Sequence, residues 1–200
     1  MLKIRTLLIL GMPLALALSG SSQVLSSGCV SGKHRTAAAA PVRSIQRLDA
    51  DGMKALLGRR GGRQRPLIVY IFYTACRPCT DHFSDIELLF DRYHVKGLDV
   101  ALVSIAPMDN AAKLLDALNH FNPAIPIFLL NKLDDEFAEE FLLRDWEPVV
   151  PSVFFYNSTG KPEDSEVDAE SITYRSLQLR AEKLLRRSRK AKSLKGTSAS

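Results

Sequence analysis

The sequence predicts an α/β domain, a β-sheet with helices on both faces. Residues 67–73, Leu-Ile-Val-Tyr-Ile-Phe-Tyr, are apolar without alternation, as in a central strand covered on both sides. Further short apolar runs recur along the chain, and segments with apolar residues at three- and four-residue steps stand between them. Hydrophobic residues make up 46% of the 200, enough for a packed core.

The first predicted element is a helix over 44–57, with Ile45, Leu48, Met53, Leu56 and Leu57 mostly on one face and Gly58, Gly61 and Gly62 ending it. After the strand at 67–73, the spacing of Phe83, Ile86, Leu89 and Phe90 predicts a helix over 78–93. A strand at 98–105 and a helix over 110–121 follow, the helix carrying Leu114, Leu115 and Leu118. A strand at 125–130, a short helix over 134–144 ending before Trp146 and a strand at 149–156 come next. Asn157-Ser158-Thr159-Gly160 reads as a turn, and the polar, acidic stretch 161–169 predicts no strand. A last helix is expected over 171–190, with Leu177, Leu184 and Leu185 inward. The chain divides into a leader (1–29), a flexible linker (30–43), the domain (44–190) and a disordered basic tail (191–200).

The net charge of +5 is unevenly placed. From Arg175 to Ser200 nine lysines and arginines stand against the single Glu182, a local +8 that leaves −3 for the rest. The domain offers no general basic footprint, and no nucleic-acid partner is expected. The tail is expected to be a solvated extension, with contact to an acidic partner or an anionic membrane surface as the competing reading.

The chain opens Met-Leu-Lys-Ile-Arg and runs apolar over 6–18, the size of a signal-peptide hydrophobic segment and short for a transmembrane helix. Ordinary cleavage near Ala17-Leu18-Ser19 would release a soluble protein. Leu25-Ser26-Ser27-Gly28-Cys29 resembles a relaxed bacterial lipobox, with the leucine one place farther from the cysteine than usual; Cys29 would then carry lipid. A leader retained as an anchor is a third route, and Cys29 as an incidental thiol in the linker is the plainest reading of that residue. The expected location is the periplasm or the outer face of a membrane.

Chemistry concentrates at Tyr73-Thr74-Ala75-Cys76-Arg77-Pro78-Cys79. A strand ends just before Cys76 and a helix begins just after it. Cys76 therefore meets the unpaired N–H groups and dipole of a helix start, which favour a thiolate and make it the attacking sulfur. Pro78 suits a first helical turn, and Arg77 adds a positive charge. Cys79, one turn in, is placed to resolve a mixed disulfide. A structural zinc site would need a second cysteine pair, which the sequence lacks. A copper- or zinc-binding cluster of Cys76, Cys79 and His82 is the competing reading.

The strand ending Ile71-Phe72-Tyr73, the Cys76/Cys79 pair with Pro78, Gly97-Leu98-Asp99-Val100 leading to Val103-Ser104-Ile105, and Val149-Val150-Pro151-Ser152-Val153-Phe154-Phe155 together resemble the thioredoxin superfamily. Within it they resemble the TlpA/ResA-like thiol–disulfide oxidoreductases of the bacterial envelope. The resemblance covers about 45–185. It implies a thioredoxin-like fold with a central mixed sheet, and a cis Val150–Pro151 bond lying against the dithiol. It also implies protein disulfides as substrates, a membrane thiol donor as reductant, no cofactor, and clients in cytochrome c or copper-enzyme assembly.

Three positions depart from the family pattern. Ala75 stands where thioredoxins commonly carry Trp, Tyr70 where thioredoxin buries an acid, and His82 where the envelope reductases often have Glu. His82 would either shuttle a proton for Cys79 or sit on the helix surface without a role. The sequence leaves both redox directions open: the resemblance points to reduction, Arg77 toward an oxidising pair.

Overall fold

The computed structural model describes residues 44–58, 65–105, 109–143, 147 and 149–197. The leader with Cys29, the linker and residues 198–200 lie outside them. The described strands are β1 (Ile45–Leu48), β2 (Leu67–Phe72), β3 (Asp99–Ile105), β4 (Ile127–Leu130), β5 (Ser152–Tyr156) and β6 (Pro162–Val167). They form one mixed sheet in the order β1-β4-β3-β2-β5-β6. Strands β1, β4, β3 and β2 are mutually parallel, β5 is antiparallel to β2, and β6 is antiparallel to β5.

The helices are α1 (Ala50–Gly58), α2 (Arg77–Asp81), α3 (Phe83–Tyr93), α4 (Ala111–Ala117), α5 (Asp135–Phe141) and α6 (Tyr174–Thr197), with a 3₁₀ turn at His94–Lys96. The pleat divides β2 between two cores. Leu67, Val69 and Ile71 meet Met53 and Leu56 of α1 and Phe137 and Phe141 of α5. Ile68, Tyr70 and Phe72 meet Ile86 and Leu89 of α3, Leu114 of α4, and Leu177 and Leu184 of α6. Burial on both faces is what its unbroken apolar run requires.

Four elements differ from expectation. The helix expected over 44–57 is β1 followed by α1. Ile45 to Leu48 pair with Ile127 to Leu130 of β4, and this pairing overrides the local helical pattern. Asp49 starts α1 in their wake, its side chain accepting from Gly52 N–H at 2.8 Å. The helix expected over 78–93 breaks at His82 into α2 and α3. Thr80 Oγ1 donates to Arg77 O, and His82 N–H turns to Thr80 O, local bonds that compete with a continuous helix.

The third difference is β6, formed by Pro162-Glu-Asp-Ser-Glu-Val167 where no strand was expected. Its acids are matched by α6: Arg180 Nε donates to Glu166 at 2.6 Å and Arg187 to Glu163 at 2.6 Å, while Arg180 also pairs with Asp164. Finally, α6 runs to Thr197, so residues 191–197 continue the helix instead of forming a disordered tail.

The turn joining β5 to β6 follows its sequence. Asn157 Oδ1 accepts from Thr159 N–H at 2.9 Å and from Lys161 N–H at 3.2 Å, and Gly160 takes a positive φ of 78°. A Cβ at Gly160 would come within 2.8 Å of Leu57 O at the end of α1. Gly160→Ala is therefore expected to lower unfolding stability by about 2 kcal/mol through backbone strain and this collision. An unchanged denaturation midpoint in the oxidised protein would refute the close approach.

Candidate functional site

The dithiol stands where β2 ends. Beyond Phe72 the chain turns through Tyr73, Thr74 and Ala75, and Cys76 caps α2 with an extended backbone, φ −83° and ψ 99°. Cys76 N–H donates to Tyr73 O at 3.1 Å, and Cys76 O accepts from Cys79 N–H at 3.0 Å and Thr80 N–H at 3.2 Å. Cys76 and Cys79 are joined by a disulfide, their Cα atoms 5.2 Å apart. Cys79 N–H also donates to Cys76 Sγ at 3.2 Å. In a reduced pair this contact and the helix start would stabilise negative charge on Cys76.

The two sulfurs are not equivalent. Cys76 keeps 7% exposure and Cys79 none. Of the residues flanking Cys76, Ala75, Arg77 and Pro78 are all exposed, so approach is open on the Cys76 side. Pro78 sits in the first turn of α2, where its missing N–H costs no helical bond.

Two further features lie at this end of the sheet. The Val150–Pro151 peptide bond is cis. Ser152 lies opposite Ile71 in the antiparallel β2–β5 register, which sets the buried Pro151 beside the end of β2. Val149 just before it is 41% exposed and Val150 half-buried, leaving an open segment before Pro151. Beneath the pair, Tyr70 Oη donates to Cys79 O at 2.8 Å, entirely buried. Burial pushes the Tyr70 phenol well above its ordinary pKa, and the nearby carboxylates Asp81 and Asp85 push the same way. Tyr70 thus supports α2 as a neutral donor.

His82, the remaining sequence candidate, occupies the break between α2 and α3. Its Nδ1 lies 3.8 Å from Asp85 Oδ2, and its side chain is 17% exposed. The ring thus has an acidic neighbour three residues ahead on α3. Among the described residues no group of three or more His, Cys, Asp or Glu side chains converges as a metal site.

Sequence reasoning missed Asp109. This carboxylate, 4% exposed, accepts from Thr74 N–H at 2.7 Å, from Thr74 Oγ1, and from Ser104 Oγ at 2.5 Å. It ties the end of β3 to the residue two before Cys76. A signal was present: Ser104 is a hydroxyl inside an apolar strand, and a buried hydroxyl needs a partner. Asp109→Ala leaves the Thr74 amide and the Ser104 hydroxyl without their acceptor. We expect a stability loss of about 3 kcal/mol in denaturant unfolding, with Asp109→Asn losing less because it keeps one acceptor oxygen. Equal losses for the two variants would show that the hydrogen bonds do not carry the effect.

No protein-family model matches the chain, and no curated protein matches it. Solved structures do. A thiol:disulfide interchange protein of the thioredoxin family from Chlorobium tepidum TLS is 14% identical, with 66% of this chain and 84% of that one covered at a TM-score of 0.52. A putative thiol:disulfide interchange protein DsbE from Chlorobium tepidum is 15% identical, covering 62% and 82% at 0.49. A secreted Mycobacterium tuberculosis disulfide oxidoreductase homologous to E. coli DsbE is 11% identical, covering 61% and 84% at 0.48. The first of these likenesses, with the mixed sheet and the dithiol at the end of β2, shows that the chain has the thioredoxin-like fold.

Proposed function

We propose that this protein is a thiol–disulfide oxidoreductase that reduces disulfides in protein substrates outside the cytoplasm. The observation that carries the reading is the Cys76–Cys79 disulfide at the start of α2, with Cys76 keeping 7% exposure beside exposed neighbours and Cys79 none. The cis Pro151 and the open segment before it support a site for an extended peptide, which can pair with the backbone of Val150.

In the reducing direction the Cys76 thiolate attacks one sulfur of a substrate disulfide. A Cys76–substrate bond forms, the substrate S–S bond breaks, and the first substrate thiolate leaves. The Cys79 thiolate then attacks Cys76 Sγ, the mixed disulfide breaks, and the second substrate thiolate leaves. The substrate gains two electrons and the pair is oxidised to the Cys76–Cys79 disulfide. A dithiol donor, on this reading one held in the membrane, returns the two electrons. Envelope proteins of cytochrome c or copper-enzyme assembly are the client class. The leader supplies export, with Cys29 lipidation or a retained leader as the tether. No described helix is long and apolar enough to cross a membrane.

A second reading rests on Arg77. Exposed between the cysteines, it favours the Cys76 thiolate and hence a more oxidising pair that would donate its disulfide. Equilibration of the Cys76/Cys79 pair in glutathione buffers separates the two. A reductase is expected to have a potential well below about −200 mV, whereas a value near about −120 mV would assign the opposite direction.

The order of attack is tested by trapping. Cys79→Ser should accumulate a covalent adduct with a disulfide-bonded substrate, visible on non-reducing gels and released by dithiothreitol. Cys76→Ser should form none, with exchange lost by at least about 100-fold because the buried sulfur does not reach substrate. An adduct through Cys79 in the Cys76→Ser protein would reverse the assignment.

A further inference from the structure

The sheet has two ends, and the dithiol occupies only one. Cys76, Pro151 and Asp109 gather where β2 and β3 finish, while Arg65 and Asp99 stand where these strands begin. At this second end the turn at His94–Lys96 and α6 flank an open cleft of about 590 Å³, lined among others by Arg65, His94, Val95, Lys96, Ser188 and Arg189.

Three permanent cations, Arg65, Lys96 and Arg189, border this cleft. The buried carboxylate there, Asp99, lies 3.5 Å from Arg65 Nη2 and 3.5 Å from His94 Nδ1. Arg65 Nε and His94 Nδ1 are buried without a hydrogen-bond partner. Arg65 is matched within the protein, its Nη2 donating to His94 O and Leu98 O and pairing with Asp99, so the cations left to face the cleft are Lys96 and Arg189. Lys96 Nζ is held 4.7 Å above the Tyr93 ring, which fixes its ammonium beside the cleft.

The surroundings point to a surface as the occupant. Val95, between His94 and Lys96, is 85% exposed, an aliphatic tip set among cations. Arg186, Arg189 and Lys190 are exposed on α6. Arg187 still reaches Glu163 at the start of β6, and α6 then continues to Thr197, about 15 Å farther at the rise of a helix. The parallel strand β1 also begins at this end, so the chain enters the fold here. A small soluble anion would use the cleft and leave Val95 idle; a bilayer surface would use both, with headgroups opposite the cations and Val95 at the acyl boundary.

We propose that this end of the molecule is a membrane-surface contact whose cleft takes the phosphate headgroup of an anionic phospholipid. Lys96 and Arg189 flank the headgroup, and the dithiol faces away from the bilayer. The contact is the same whichever way disulfide exchange runs.

The test is partitioning of the intact chain onto phosphatidylglycerol-containing and pure phosphatidylcholine vesicles at about 0.1 M salt. Wild type is compared with the Lys96→Glu, Arg189→Glu double variant; the leader is the same in both, so the difference reads the cleft. The double variant is expected to partition onto anionic vesicles at least about tenfold more weakly, since each cation near such a surface contributes about 1 kcal/mol. Its partitioning onto phosphatidylcholine and its disulfide exchange should match wild type, which also shows that it folds. Val95→Asp should weaken anionic partitioning in the same sense. Equal partitioning of wild type and double variant onto anionic vesicles would overturn the proposal. Saturable binding of inorganic phosphate by calorimetry, with no wild-type preference for anionic over neutral vesicles, would do so too by assigning the cleft to a soluble phosphate.

Discussion

The constraint on which the site depends is the position of β2. It is hydrogen-bonded to β3 on one side and β5 on the other, and buried on both faces, so it has no freedom to slide or tilt. Its last residue fixes where α2 begins, and the antiparallel register of β5 brings Pro151 to the same place. The parallel register of β3 does the same for Ser104, which stands opposite Phe72 and shares Asp109 with Thr74. Three strands thus converge on one loop through sheet pairing, with Asp109 as the side-chain tie. Ligand sites at the carboxyl ends of strands in open α/β sheets arise by the same geometry.

How much of this was legible depended on whether a residue's neighbours were local. The central strands were, because burial on both faces leaves an unbroken apolar run, and the dithiol was, because its spacing lies between a strand and a helix. Strand β1 was not: Ile45 and Leu48 fit a helical face equally well, and only pairing with β4 decides between them. Strand β6 was hidden for the opposite reason, since its carboxylates look like a solvated loop until α6 supplies Arg180, Lys183 and Arg187. Asp109 lies 35 residues from the Thr74 it holds, and nothing local to either residue marks that distance as closed. His82 was read on one continuous helix, whereas bonds made by Thr80 interrupt it.

The same pairing revises the meaning of the basic tail. Three of the nine cations counted between Arg175 and Ser200, namely Arg180, Lys183 and Arg187, belong to the β6–α6 contact. Glu166, 6% exposed, is held by both Arg180 and Ser176 at the buried end of an ionic network whose other cations, Lys183 and Arg187, are 48% and 55% exposed. Arg186, Arg189 and Lys190 face outward beyond this contact.

Tyr70 has a consequence for proton traffic. On the proposed cycle, a carboxyl group beneath the pair could collect the proton that Cys79 loses before it attacks, and return it later. A phenol whose ionisation burial pushes further out of range does neither; it only holds the Cys79 carbonyl. Beneath the pair the chain thus places a rigid, neutral support, and on the proposed cycle any proton relay for Cys79 lies with groups other than Tyr70.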